Sequence, residues 1–131
     1  MKIIVETPRL ILRQFVPDDY YDVFDLNNDP EVMKYVSGKS FDSLAAAKNF
    51  MDHYGEYEKY GMGRWAVILK STYEFTGYCG LKFQAELGVD GEVNLGYRFF
   101  KKFWGQKIAT ESSLASIDYG FEQLNLKQLG E

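Results

Sequence analysis

The sequence holds one cysteine and one histidine among 131 residues, and this scarcity excludes several kinds of site. With Cys79 alone, the chain can form no internal disulfide and no zinc cluster of several thiolates. Because a free cysteine is usually buried, we expect a structural thiol rather than a nucleophile. His53 stands beside the apolar stripe of a predicted helix, which favours a partly exposed structural role over catalysis.

An excess of basic residues and long apolar runs are also missing. The net charge of −4 argues against a nucleic-acid partner, since such partners require a concentrated basic face. The apolar run near the start is too short for a signal peptide, and no stretch is long enough to span a bilayer. We therefore expect neither a nucleic-acid nor a membrane partner, and a cytoplasmic location. No P-loop, zinc spacing, EF-hand loop or dinucleotide glycine pattern is present, so we expect no metal.

The chain is instead rich in aromatic residues. They make up 17% of it, with ten tyrosines and ten phenylalanines. Such a share predicts either a heavily aromatic core or a wide groove lined with rings. The length corresponds to one domain.

Alternating apolar residues and turn signals predict four strands and part of a fifth. The complete ones are Arg9–Phe15, Arg64–Leu69, Phe75–Phe83 and Val93–Phe100. The links between the last three are too short for crossovers, which predicts an antiparallel meander. Residues 126–131 would begin one further strand.

Helical spacing of apolar residues predicts two longer helices. The first runs from Ser43 to Lys59, and its stripe consists of Ala46, Phe50, Tyr54 and Tyr57. The second begins at Ile108, and its stripe consists of Leu114, Ile117, Phe121 and Leu124. Together with a short helix after Pro17, this order predicts an α+β fold, with a mixed, mostly antiparallel sheet flanked by helices.

The stretch FWGQKIATES, from Phe103 to Ser112, combines a turn with the start of the second helix. A helix start offers unpaired backbone N–H groups and the positive end of a dipole, and both suit an anion. A phosphate site is one interpretation of this turn. A plain loop between strand and helix is the other.

Three segments in this order resemble the GNAT superfamily of acyl-CoA-dependent N-acetyltransferases, and more narrowly the branch that includes the ribosomal-protein alanine acetyltransferases. TPRLILRQF resembles the first strand of that branch, VNLGYRFFKKFWGQ its central strand, and WGQKIATES its CoA loop and helix. The resemblance implies the family's α+β fold. It also implies transfer of an acetyl group from acetyl-CoA to a primary amine, with a protein N-terminus, a polyamine or a small-molecule amine as the acceptor.

The resemblance also implies which residues bind acetyl-CoA. The pantetheine arm would lie along Phe99 and Phe100. The pyrophosphate would lie against Gly105, Gln106, Lys107, Ile108, Ala109 and Thr110. Lys107 stands where the family normally has glycine, and its side chain would either crowd the pyrophosphate or bind it as a point charge.

The resemblance has a second departure, at the end of the chain. We expect residues 1–131 to form a single acetyltransferase-like domain that ends before the family's usual final strands and helix. An unpaired sheet edge there would allow pairing with a second chain, so a homodimer is one expectation.

Catalysis requires a base, because the amine must lose a proton before it attacks. Glu92 and Asn94 are the candidates, since they lie two residues apart on one face of the predicted strand that would flank the thioester. Many relatives have an acid at the position of Asn94, and an amide cannot act as a base. Glu92 would act through a water, or it is simply a solvated carboxylate. The alternative function is therefore a degenerate domain that binds CoA weakly or acts through protein contacts.

Overall fold

A computed structural model describes residues 2–34, 40–84 and 92–124 of the chain. Its centre is one antiparallel sheet whose five strands are neighbours in chain order. The strands are β1 (Ile3–Glu6), β2 (Leu10–Arg13), β3 (Arg64–Leu69), β4 (Phe75–Gln84) and β5 (Glu92–Phe99). Alternate residues of each strand face opposite sides of the sheet, so helices are needed to cover both faces.

Helices cover both faces of this sheet. They are α1 (Tyr20–Asn28), α2 (Pro30–Met33), α3 (Leu44–Asp52), α4 (Glu56–Tyr60) and α5 (Ile108–Gln123). The Tyr78 hydroxyl donates to the Asn27 side chain of α1, whereas the Cys79 sulfur lies 3.6 Å from the Ser116 hydroxyl of α5. Because neighbouring residues of β4 point to opposite faces, α1 and α5 lie on opposite sides of the sheet. The predicted α+β fold is confirmed.

The predicted strands coincide with β2 to β5 to within a few residues, but β1 was not foreseen. Leu10 and Leu12 are fully buried, as their alternation indicates. The predicted strand over residues 126–131 lies outside the described residues. Within the described ranges, no helix is long and apolar enough to cross a membrane.

The prediction of one helix from Ser43 to Lys59 is wrong. The structure divides it into α3 and α4, with His53, Tyr54 and Gly55 between them. The Tyr54 hydroxyl accepts a hydrogen bond from the Arg64 N–H at 2.8 Å, so this ring is turned toward the start of β3. A hydrogen bond to a buried backbone group outweighs the small gain from continuing the helix. The second break, at Gly61, has the left-handed conformation that favours glycine (φ 72°).

The predicted packing face of α5 is wrong for two of its four residues. Leu114 and Phe121 are 58% and 42% exposed, although they belong to the apolar stripe, whereas Leu124 packs against the core. Apart from Ile108 in the first turn, the buried face of α5 is made of small residues, namely Ser112, Ala115, Ser116 and Gly120. Small side chains let the helix approach β4 closely, and the two serine hydroxyls bond to carbonyls of their own helix at 2.8 and 2.9 Å. Close backbone approach therefore decides this interface, and the periodicity of large apolar residues does not.

A carboxylate ties the start of α5 to the first hairpin. Glu111, in the first turn, accepts hydrogen bonds from the Thr7 hydroxyl and from the Arg9 side chain, the latter at 2.7 Å. Burial raises the pKa of Glu111, but the hydrogen bonds from Thr7 and Arg9 outweigh this effect and lower it overall. The negative charge also suits the positive end of the helix dipole. These contacts fix where α5 begins relative to the sheet.

The packing of α5 gives a first prediction. We expect Ser116→Leu to lower the free energy of unfolding by about 1–3 kcal/mol, because the buried site has no room for a larger side chain. The control is Leu114→Ala, for which the exposed position predicts a change within about 0.5 kcal/mol. Urea unfolding measures both. A larger loss of stability for Leu114→Ala than for Ser116→Leu would indicate that the apolar stripe is the packing face after all.

Candidate functional site

The turn before α5 has two residues in the left-handed conformation. Gly105 has φ 78° and Lys107 has φ 62°, and Lys107 is the N-cap residue directly before α5. Glycine adopts this conformation freely, whereas for lysine it costs about 1 kcal/mol. The positive charge of Lys107 also opposes the helix dipole. Lysine is therefore locally unfavourable at this position, which is typical of residues retained for function.

This turn forms one wall of a cavity of about 400 Å³. Six of the eight residues expected to bind the cofactor line it, together with Phe103 and Trp104: Phe99, Gly105, Lys107, Ile108, Ala109 and Thr110. Phe100 and Gln106 are not among the lining residues, and the Gln106 side chain instead donates to the Lys102 carbonyl at 3.0 Å. The structure thus brings most of the predicted cofactor residues to one place.

The cavity has the hydrogen-bond donors that an anion requires. The first bond of the helical ladder runs from the Glu111 N–H to the Lys107 carbonyl at 3.0 Å. The N–H groups of the three residues before Glu111 precede that ladder and point out of the helix start. A Cβ added at Gly105 would meet no atom within 4 Å, so the space beside this residue is open. The cavity therefore offers backbone donors of the kind that suit an anion.

The two predicted catalytic residues lie at the beginning of β5. Glu92 is the first residue of the strand and pairs with Gln84, and Asn94 pairs with Lys82. The Asn94 side-chain oxygen is buried and has no hydrogen-bond partner among the described residues. β4 and β5 pair without a register shift from Gly77 to Gln84. Within the described sheet β5 is an edge strand, so alternate backbone groups along it point away from β4.

A second and larger cavity, of about 790 Å³, lies on the opposite face of the sheet, beside α1 and α3. Aromatic rings form much of its wall, namely Phe15, Phe41, Phe50, Tyr54 and Tyr78. Its polar and charged wall consists of Asn27, Asn49, His53, Glu56, Arg64 and Lys82. The aromatic share of the sequence thus serves a groove as well as the core.

Two tyrosines hold the backbone at the base of this larger cavity. The Arg64 N–H donates to the Tyr54 hydroxyl at 2.8 Å, and the Tyr57 hydroxyl donates to the Arg64 carbonyl. Tyr57 also accepts from the Phe15 N–H at 3.0 Å. Burial raises the pKa of Tyr54 to about 12 and that of Tyr57 further, so both remain neutral at physiological pH. This pair of tyrosines, here called the tyrosine clamp, joins α4 and the link before it to the start of β3 and to Phe15, which follows β2.

Sequence reasoning missed Arg64 and Asn27. Asn27 is 6% exposed, and its side-chain oxygen accepts hydrogen bonds from Tyr78 and Arg98 across the sheet. Arg64 reaches the cavity because its strand pairs with Gly80, which pairs in turn with Gly96. Gly80 and Gly96 are visible in the sequence as small residues within predicted strands, but only the register of the sheet shows that they lie beside Arg64.

The positions of Cys79 and His53 agree with the structural roles expected from the sequence. Cys79 is fully buried, and burial raises the pKa of its thiol, which makes it a poor nucleophile. His53 is exposed at the end of α3, where its Nδ1 lies 2.9 Å from the Asn49 carbonyl, and it lines the larger cavity. In the described ranges no three His, Cys, Asp or Glu side chains are grouped as metal ligands.

Comparison with known proteins identifies the family. A family model described as an acetyltransferase (GNAT) domain matches residues 9–130. The chain belongs to the GNAT acetyltransferases. The comparison does not specify the branch of the GNAT family, so the branch suggested by the sequence stays a prediction.

Relatives and solved structures of this GNAT protein match most of its length. An uncharacterised N-acetyltransferase p20 of Bacillus licheniformis is 31% identical over 124 residues, which are 94% of this chain and 68% of that protein. The uncharacterised protein YkkB of Bacillus subtilis is 34% identical over 127 residues, 95% of this chain and 70% of that one. A crystal structure of an acetyltransferase from Agrobacterium tumefaciens has a TM-score of 0.75 at 26% identity, covering 93% of this chain and 68% of that one.

The tyrosine clamp gives the second prediction. We expect Tyr57→Phe to lower the free energy of unfolding by about 1–3 kcal/mol, because the Phe15 N–H and the Arg64 carbonyl both lose their partner. Tyr73→Phe is the control, since Tyr73 is 78% exposed and should change stability by less than about 0.5 kcal/mol. Chemical unfolding measures both variants. An equal effect of the two substitutions would contradict a structural role for the Tyr57 hydroxyl.

Proposed function

We propose that this GNAT protein transfers the acetyl group of acetyl-CoA to a primary amine. The observation that carries the proposal is the small cavity at the start of α5, where predicted cofactor residues meet around two left-handed turn residues and unpaired helix N–H groups. In a chain of this family, that arrangement supports pyrophosphate binding there.

The pantetheine arm would extend from this cavity along β5. Phe99 is buried in the wall of the cavity and is the last residue of the strand. Because β5 is the edge of the described sheet, its outward backbone groups can pair with the amides of the arm as a neighbouring strand would. The thioester would then lie near the middle of β5, where an outward N–H can polarise its carbonyl.

The chemistry requires a neutral amine and a leaving thiolate. The nitrogen lone pair forms the new bond to the carbonyl carbon, the carbon–sulfur bond breaks, and the thiolate takes up a proton. A free thiol titrates near pH 8.5, so its release requires modest help. We assign Glu92 as the base, acting through a water, and Asn94 as a polar group that orients the amine or that water.

The acceptor would enter through the larger cavity, on the face of the sheet opposite α5. Tyr78 and Lys82 of β4 line that cavity, and they pair with Arg98 and Asn94 of the neighbouring strand β5. An acceptor in the larger cavity would then reach a thioester on the outer edge of β5 from the neighbouring strand β4. A homodimer and a cytoplasmic location remain predictions from the sequence.

The first test is the melting temperature with and without millimolar acetyl-CoA, beside a desulfo analogue. A ligand at about a hundred times its Kd stabilises a protein by roughly 2.7 kcal/mol, which is easily measured. A shift together with release of the CoA thiol in the presence of amines would support the proposal. A shift without turnover for any amine would favour the alternative of a non-catalytic CoA-binding domain, and the absence of a shift would contradict both.

The position of Lys107 gives the third prediction. The backbone already has the conformation of the glycine it replaces, and the side chain is exposed, so we expect its ammonium to attract the phosphates rather than crowd them. Lys107→Gly should weaken acetyl-CoA binding by about 2–10-fold, while stability is unchanged or rises by up to about 1 kcal/mol.

Calorimetric titration at two salt concentrations measures the effect of Lys107. Lys107→Asn is the matched control, because asparagine tolerates the left-handed conformation and lacks the charge. Both variants should lose affinity equally and show a weaker salt dependence. Tighter binding by Lys107→Gly would instead show that the lysine crowds the site.

The fourth prediction concerns Glu92. If Glu92 accepts the proton of the amine, Glu92→Gln should lower kcat roughly a hundredfold at pH 7. The loss should shrink above about pH 8, where most of an α-amine is neutral without help. Glu122→Gln, on the exposed side of α5, removes the same charge and should leave the pH profile unchanged. An unchanged kcat for Glu92→Gln at pH 7 would leave Glu92 as a solvated carboxylate.

A further inference from the structure

The larger cavity contains a guanidinium that forms no salt bridge within the described residues. The Arg64 side chain makes one hydrogen bond to those residues, from Nη1 to the Gly80 carbonyl at 3.2 Å. Arg9 and Arg13, by contrast, pair with Glu111 and Asp19 at 2.7 and 2.8 Å. Since a guanidinium has five N–H donors, most of those on Arg64 are available to a ligand.

Two glycines of the sheet leave space for this guanidinium. Gly80 and Gly96 are register partners at the middle of β4 and β5, and Arg64 pairs with Gly80 from the other side. A Cβ at Gly96 would lie 2.8 Å from the Arg64 Cζ, so any larger residue there would displace the side chain. The glycine at this position therefore makes room for Arg64.

The backbone of Arg64 is fixed as firmly as its side chain. Both its N–H and its carbonyl are bonded to the tyrosine clamp, which holds the start of β3 against α3 and α4. The backbone bonds and the bond to the Gly80 carbonyl together restrict the Arg64 side chain. Its guanidinium therefore loses little freedom when it binds both oxygens of a carboxylate.

The other charges on the cavity wall point to the same ligand chemistry. Lys82 adds a second cation, opposed by the single carboxylate of Glu56. Around them lie the rings of Phe15, Phe41 and Phe50, which suit an apolar group. A polyamine, with several positive charges and no anionic group, is a poor match for such a wall.

We propose that the acceptor is an amine that also carries a carboxylate, which Arg64 binds, with an apolar portion against the aromatic wall. This inference rests on the proposed acetyl transfer, since it names the class of acceptor for that reaction. Arg64 acts as a specificity-determining residue, and it selects amino acids or carboxyl-terminated small amines over polyamines.

Binding of product analogues tests the inference without requiring turnover. The probes are N-acetyl-L-phenylalanine and its amide, N-acetyl-L-phenylalaninamide, which differ by the carboxylate alone. Each is titrated calorimetrically into the full chain. We expect the acid to bind about tenfold more tightly than the amide, because a charge-assisted pair with arginine is lost in the amide.

Substitutions assign this preference to Arg64. In Arg64→Met the acid and the amide should bind within about twofold of each other, and Arg64→Lys should fall between that variant and the wild type, since lysine keeps the charge and loses the fork. Lys70→Met is the matched control, because Lys70 lies on the β3–β4 turn and pairs with Glu6 at 3.4 Å. That variant should keep the full preference for the acid.

Three results would overturn the inference: equal binding of acid and amide to the wild type, no measurable binding of either at 10 mM, or a preference that survives Arg64→Met. The acetyl-CoA melting shift, measured on the same proteins, separates this outcome from failure of the proposed function. A normal shift in Arg64→Met also shows that this variant is folded.

Discussion

The tyrosine clamp is the interaction on which the arrangement of this molecule depends. Two phenol groups, one from the link between α3 and α4 and one from α4, satisfy both backbone groups of Arg64 and the N–H of Phe15. A buried backbone group left without a partner costs about 1–3 kcal/mol, so the clamp helps to hold α3 and α4 against the start of β3 and the segment that follows β2. Because these helices form one side of the larger cavity, the same hydrogen bonds maintain the open space beside the sheet.

The two cavities lie on opposite faces of one sheet and border neighbouring strands, since β4 lines the larger cavity and β5 lines the smaller one. The small cavity is built from backbone groups at the start of a helix, which suits a ligand common to a whole family. The larger cavity is built from side chains, with rings, amides and a fixed guanidinium on its wall. Recognition through backbone groups depends little on side-chain identity, whereas recognition through side chains changes when they are replaced. Under the proposed function, one fold would thus keep its donor site and vary its acceptor site.

The sequence predicted the strands and the turn before α5 well, because alternation, glycine positions and a helix start are local signals. It failed where distant residues meet. The stripe of Leu114 and Phe121 has ideal helical spacing, yet the helix packs through Ser112 and Ser116, because only small side chains allow the close approach that the sheet requires. Arg64 carries no local signal at all. Its role follows from the register that places it beside Gly80 and Gly96, and register is a property of the assembled sheet.

Because Cys79 is buried beneath α5, its thiol can report the separation of this helix from the sheet. The sulfur is inaccessible, and the small residues above it leave no path for a reagent while the helix is seated on the sheet. A thiol reagent can therefore react with this protein only when α5 separates from β4. Since the chain has no other cysteine, each labelled molecule records one such separation. The rate of labelling under native conditions thus gives the free energy of detaching α5, read from a single atom without any engineered probe.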